Sequence, residues 1–531
     1  MSEGAVFDHV VIGAGSAGCV IAARLSEDPA TRVLLLEAGS PRKGLAKSEI
    51  TIPAAFGKLF RSDVDWDYAT TPQEGLAGRE IYWPRGKTLG GSSAINAMMY
   101  IRGQRADYDG WGISGWGYDE LLPYFRRSED NERGASPLHG AGGPQPVSDQ
   151  RDPNRLTRAL VEGAVEAGVG RLDDHNVEAP EGVAYTQVLQ RRGKRVSAAA
   201  AYLDPARSRS NLTVMAGAHA TRVLVEGTRA VGVEYRAGGS TRQVRCAREI
   251  VLSAGAVNSP QLLMLSGIGP RAALAQHGIT LVHELAGVGQ NLQDHLVGLV
   301  HVTSPTKHSL YGAQAPWQLL RYVLARKGML TSNVGEAAAF VRTRPELHAP
   351  DLELLLAPVL YWREGLVDPP EHGFTIGLVV FAPCSSGFVA LRSDDPFAKP
   401  LIEPRYLSDP DGEDMRVLVE GVKLARRIVA TRALGPFVGR ERTPGPEART
   451  DEQIAASQRA VAHTLYHPVG TCRMGADQAS VVDPELRVRG IDGLRVADCS
   501  VIPVITRGHT HAPAAMIGEK AAEMIRGATR A

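Results

Sequence analysis

Hydrophobic positions in the first forty residues follow two textures. Val10-Val11-Ile12 is an unbroken apolar run, the pattern of a parallel strand covered on both faces. Glycines at 13, 15 and 18 interrupt it, and Val20, Ile21, Ala22, Ala23 and Leu25 then open a helical stretch. A second run, Val33–Leu36, completes a strand–helix–strand unit and ends on Glu37. Farther along, Leu212–Tyr235 alternates as strands do, and EIVLSAGAVNSPQLLMLSGIG repeats the strand–glycine–helix order. Helical periodicity marks Arg155–Gly168 and Asp414–Ile428, and strand-like runs mark Leu352–Leu356 and Phe374–Phe381. Leu494–Ala497 reads as a short buried strand ending at Asp498. Residues 40–80 look loop-like. Residues 128–155, rich in Gly, Pro and charge, look like a surface excursion between domains.

The glycines carry the first chemical inference. Gly13 permits a tight turn, Gly15 lets backbone approach a pyrophosphate, and Gly18 lets the helix pack closely on its strand. The helix N-terminus attracts the anion. Ser16 and Ala38 flank the two turns, and Glu37 stands where a carboxylate meets ribose hydroxyls. A dinucleotide site is expected here.

Composition narrows the class. A chain of 531 residues implies two or more domains, and 44% hydrophobic with 22% charged residues is ordinary for a globular protein. A net charge of +1 gives no overall electrostatic case for nucleic acid or an anionic membrane. Five scattered cysteines without metal spacing read as thiols in a reducing compartment, so no metal is expected. No run reaches the roughly 18 apolar residues of a membrane span. The first strand opens within a few residues of the start, so no leader is expected, and the expected location is cytoplasmic.

Six strings, in order, resemble the glucose–methanol–choline (GMC) family of FAD oxidoreductases: GAGSAG with Glu37-Ala38-Gly39, GKTLGGSSAIN, GAVNSPQLLMLSGIG, VGQNLQDH, YHPVGTCRMG and GLRVADCSVIP. The resemblance spans essentially the whole chain. It implies an α/β fold with a discontinuous Rossmann-like FAD-binding domain (1–158, 206–305, 464–531). A substrate-binding domain on an antiparallel sheet flanked by helices takes 159–205 and 306–463. It also implies FAD contacts from Gly90, Ser92, Ser93 and Asn96, a backbone contact at Val223, and contacts from Asp498 and Pro513. Some relatives carry a flavin-bonding histidine where this chain has Ile95 and Asn96, so the FAD is expected to be noncovalent.

The family's catalytic histidine falls on His467 and its partner on His511. A neutral imidazole, with an ordinary pKa of about 6.5, suits removal of an alcohol proton near neutral pH. A second one suits donation to the developing alkoxide. His509 matches a loop-supporting position, and His295, His463 and His139 read as structural or exposed. Tyr466 and Glu336 are candidate substrate-lining residues, with Leu354–Trp362 and Phe381–Phe388 as cavity segments. Their apolar character favours an alkyl or aryl primary alcohol. The acceptor is a quinone, a dye-like carrier or O2, with dehydrogenase favoured over oxidase. A redox-silent lyase on the same fold stays open. The photodecarboxylase branch and a nonenzymatic flavin module are disfavoured by the retained histidines.

Overall fold

The computed structural model describes residues 6–40 and 49–530. Its first sheet runs Leu212–Ala216, Val33–Glu37, Val6–Ile12, Ser240–Leu252, Arg229–Ala237, Ala218–Glu226, with Leu494–Val496 added beside Ser240–Leu252. The strands around Val6–Ile12 are parallel, and Val33–Glu37 is buried throughout, as its unbroken apolar run requires. Ser240–Leu252 changes partner midway. Its first half pairs antiparallel with Arg229–Ala237, and Ile250–Leu252 pair parallel with Leu494–Val496. That strand ties the chain's beginning to its end.

The second sheet is antiparallel: Glu441–Thr443, Leu296–Thr303, Gly373–Val380, Leu352–Ala357, Ala337–Val341, Gly182–Tyr185, with His463–Thr464 beside Leu296–Thr303. Leu296–Thr303 and Gly373–Val380 are buried at every position, so both faces of this sheet are covered. The helices Arg155–Glu166 and Glu413–Val429 supply Leu156, Leu160, Val417 and Leu418 to the core on one face. On the other, Met99, Val297, Leu299 and Phe381 form a smaller cluster near the cavity described below.

Three expectations need correction. The strand Leu296–Thr303 belongs to the second sheet, although it fell inside the segment given to the first. The helix Arg155–Glu166 crosses the expected boundary at 158, because its whole apolar stripe faces the second core. Residues 128–155 are not a plain surface excursion. Glu129, Asn131 and His139 are buried around the Arg102 guanidinium, which ion-pairs Glu129.

The C-terminal helix His511–Arg530 sets the geometry of the site. It crosses the first helix, Ser16–Leu25, at Gly518, where an added Cβ would meet Ala17 O and Val20 Cβ at 2.9 Å. Buried Glu519 then accepts from Arg24, Arg127 and Tyr202, which neutralises it. The crossing presents the helix N-terminus to the glycine loop. None of the described helices is long and apolar enough to cross a membrane.

Candidate active site

A cavity runs between the two sheets, and its lining reaches from the glycine loop to the histidine cluster. At one end lie Gly13, Gly15, Ser16, Glu37 and Ala38; at the other lie Tyr466, His467 and His509.

The first end is built of backbone. Gly13 has φ +96°, and a Cβ there would stand 2.5 Å from Ser253 O. A Cβ on Gly18 would stand 1.9 Å from Gly13 O, so any side chain would push the helix off its strand. Gly15 differs: a Cβ would meet only Ser253 O, at 3.8 Å, so the missing side chain leaves room for a ligand and not for the fold. The loop Gly90–Ser93 lies directly against it, with Gly90 N donating to Ala14 O (2.7 Å) and no room for a Cβ on Gly91 beside Gly15 Cα (2.7 Å). Ser92, Ser93 and Asn96 line the cavity, although Ser93 also braces the loop through Gly90 O and Ala198 N. Asp498 accepts from Gly255 N, Ser259 Oγ and Ser500 N, holding a second helix start at the cavity edge. This narrow, glycine-lined channel ending at helix N-termini fits FAD.

Glu37 lines the same end, yet its oxygens are already engaged. Oε2 accepts from Ala14 N (2.9 Å) and Oε1 from Gly39 N (2.8 Å). Burial raises its pKa to about 7 despite these two donors. It therefore shapes the glycine loop as well as facing the ribose position, each oxygen keeping a further lone pair for a hydroxyl.

The second end is built of side chains. His467 Nδ1 lies 2.9 Å from His295 Nδ1, and the rings of His467 and His509 pack at 4.6 Å. His509 Nε2 meets the fully buried Glu353 carboxylate at 3.1 Å. The backbone of His467 is pinned by its N–H to Asp294 Oδ1 (2.7 Å), and Asp294 also takes the hydroxyls of Thr464 and Tyr406. Burial raises Asp294 to about 6. Burial also holds His467 well below 6.5, reinforced by His509, His295 and Arg85, and it pushes His295 down to about 3. Both rings are neutral at pH 7. Tyr466 reaches the cavity in a left-handed conformation (φ +70°), its ring edge-on to Phe60 and its hydroxyl 3.0 Å from Tyr361 Oη.

The expected pairing changes here. The ring against His467 belongs to His509, not His511. His511 opens the C-terminal helix and turns toward the glycine loop, where its Nδ1 meets Ser16 Oγ at 2.9 Å. Burial lowers it to about 4, and its Nε2 is buried without a protein partner while the residue lines the cavity, as suits a ligand-facing group. Counting from Ala512-Pro513 placed the partner two residues too late, because residue 509 precedes the helix and 511 lies within it.

Other expectations shift as well. Glu336 does not line the cavity. Its carboxylate accepts from Asn154 N, Thr157 Oγ1 and Ser332 Oγ at 2.6–2.7 Å, while Asn333, Val334 and Gly335 face the cavity instead. Val223 lies off the cavity wall with its N–H given to Ser266 Oγ, and Ala218–Ala220 of the same strand form the wall. Gly90 and Pro513 stand behind lining residues rather than among them. From the expected substrate segments, Leu355, Ala357 and Tyr361 line the cavity, but Phe381–Phe388 do not; Val297, Leu299 and Gly377 take their place. Sequence reasoning missed Asp294, Glu353 and Arg85, and undervalued His295 and His509. The string VGQNLQDH held the Asp294-His295 signal. Nothing local marked Glu353, in the middle of an apolar strand.

The comparisons agree with this architecture. The GMC oxidoreductase family models match residues 7–297 and 383–518, so the chain belongs to the GMC oxidoreductase family, whose members bind FAD. It is 44% identical to an alcohol dehydrogenase [acceptor] of Pseudomonas putida, over 98% of this chain and 96% of that one. It is also 44% identical to human mitochondrial choline dehydrogenase, over 98% and 90% respectively. Among solved structures, pyridoxine 4-oxidase from Mesorbium loti superposes with a TM-score of 0.86 at 33% identity, covering 97% of this chain and 98% of the other.

Proposed function

We propose that this GMC oxidoreductase converts an uncharged alkyl or aryl primary alcohol to its aldehyde as a dehydrogenase, with His467 as the base. The observation that carries the reading is the His295–His467–His509 cluster facing an apolar wall. His295 Nε2 has no well-formed hydrogen bond, but the Phe381 carbonyl is close enough to favour a proton there. With Nε2 protonated, the neutral His295 has an accepting Nδ1, so the proton between the rings sits on His467 Nδ1. That leaves a lone pair on His467 Nε2 for a substrate hydroxyl. Glu353 selects the Nε2–H form of His509 and orients that ring beside the base.

Bound FAD, held by the Gly13–Gly18 and Gly90–Ser93 loops, Asn96 and Asp498, supplies the hydride acceptor. Its retention without a covalent bond is consistent with Ile95 and Asn96 at the cavity wall. His467 takes the hydroxyl proton, the His509 ring packed against it holds that base in place, and the wall of Phe60, Tyr361 and Tyr466 keeps water away. Among the described residues the only lining carboxylates are Glu37 and Asp498, both occupied by backbone N–H groups at the dinucleotide end. Asp294 and Glu353 lie behind the wall, so a quaternary ammonium would meet no lining carboxylate beside His467. This favours neutral alcohols, and the acceptor-dependent Pseudomonas relative favours a dehydrogenase. A panel of hexanol-like, benzylic and choline-like alcohols, mixed anaerobically with the holoenzyme, tests the reading. Neutral members should bleach the flavin fastest, with dye turnover outrunning oxygen turnover. Preference for choline, or no bleaching by any alcohol, would overturn it.

A further inference from the structure

The helix Pro316–Ala325 (PWQLLRYVLA) is amphipathic the wrong way round. Its inward residues are the polar Gln318 and Tyr322, both buried, with Tyr322 donating its hydroxyl to Gly193 O. Its outward residues are apolar: Trp317 is 59% exposed, Leu320 58%, Val323 55% and Leu324 76%. These make up much of the protein's exposed large hydrophobic side chains, gathered on three turns. A soluble chain gains nothing by exposing such a row, so the face is built for a partner.

Charge identifies the partner. No Asp or Glu occurs between Asp294 and Glu336, whereas Lys307, Arg321, Arg326 and Lys327 do. Arg321 is paired with Asp152 (2.9 Å), while Lys327 is exposed just past the helix end. The local excess of cations is hidden in the whole-chain charge of +1. An outward apolar stripe with a tryptophan and basic residues at its border matches a helix lying in the headgroup region of an anionic bilayer. The place is apt. The helix packs on the turn Met329–Thr331, which packs on the turn Pro53–Leu59, and Phe56 of that turn lines the cavity.

We propose that Pro316–Ala325 docks this protein on the surface of an anionic membrane, placing the substrate cavity near the lipid. A second copy of the chain would lack the charge complementarity, since the same cations would face each other. The proposal does not depend on the alcohol-oxidation reading, because binding is measured without turnover.

The test is flotation of the FAD-loaded protein with vesicles of phosphatidylcholine alone or mixed with phosphatidylglycerol. Binding to the mixed vesicles is expected, with little to phosphatidylcholine and loss at high salt. Leu320→Gln/Leu324→Gln should bind at least about tenfold more weakly while keeping parental flavin absorbance and melting temperature, since both side chains are exposed. Brominated lipid should quench parental fluorescence more than that of Trp317→Phe, whichever variant folds best. Equal flotation of parent and double variant would overturn the proposal, as would absence of binding to mixed vesicles. A dimer dissolved by the double variant, with no vesicle binding, would assign the face to a second copy.

Discussion

The two ends of the cavity are made in different ways. The dinucleotide end is made of backbone: Gly13, Gly18 and Gly91 are required because other backbone lies 1.9–2.7 Å from where their Cβ atoms would be. The histidine end is made of side chains from distant segments, His295, His467 and His509 with Glu353 behind them. A backbone site tolerates no change at these three glycines. A side-chain site degrades by steps, each residue contributing through hydrogen-bond geometry and protonation. The lesson is that the first end decides whether cofactor is held, and the second decides how fast it is reduced.

The largest effect should come from the first end. Gly18→Val would drive a side chain into Gly13 O, and we expect purified protein with almost no bound flavin, read as visible absorbance per protein. A variant with parental flavin content would break the distinction. Next is His467→Ala, expected to retain flavin but to slow its anaerobic reduction by at least ~10²-fold, the usual scale of a lost general base. Rapid mixing measures this step alone.

The same difference governs what could be read from the chain. The glycine loops, the strands flanking them and Glu37 were legible because each is a local string answering a local steric demand. The antiparallel second sheet was also foreseen, though its bounds along the chain were not: Leu296–Thr303 follows the first-domain string VGQNLQDH without a break. The partner of His467 was misread because His509 and His511 both stand within three residues of Ala512-Pro513, and only the start of the C-terminal helix separates their directions. Glu336 was misread for a related reason. A carboxylate among small apolar residues gives no sign of whether its donors are substrate or, as found, Asn154, Thr157 and Ser332.

A smaller effect probes how the second end is tuned. The pKa of His467 is depressed, so the base stays unprotonated through neutrality and is lost only as pH falls through its lowered value. In the parent, flavin reduction should hold its rate through pH 6.5 and fall only in solution well below it. His295→Ala removes one cause of the depression and the acceptor that fixes the tautomer. It should slow reduction by about tenfold and move the acid limb upward. An unchanged profile would remove His295 from the mechanism. Smallest in kinetics is Glu336→Gln, which should leave reduction within about twofold while lowering the melting temperature, since a buried acceptor of three donors is replaced by an amide. A selective loss of substrate affinity would return Glu336 to the cavity.

The central claim is that His509, and not His511, works with His467. Rapid-mixing reduction of flavin in His509→Ala and His511→Ala, each reconstituted to full FAD content, measures it directly. The account predicts a loss of roughly ten- to a hundredfold for His509→Ala. For His511→Ala it predicts weaker FAD retention but near-parental reduction, because that ring serves the glycine loop through Ser16. The reverse order, with His511→Ala crippled and His509→Ala near parental, would contradict it.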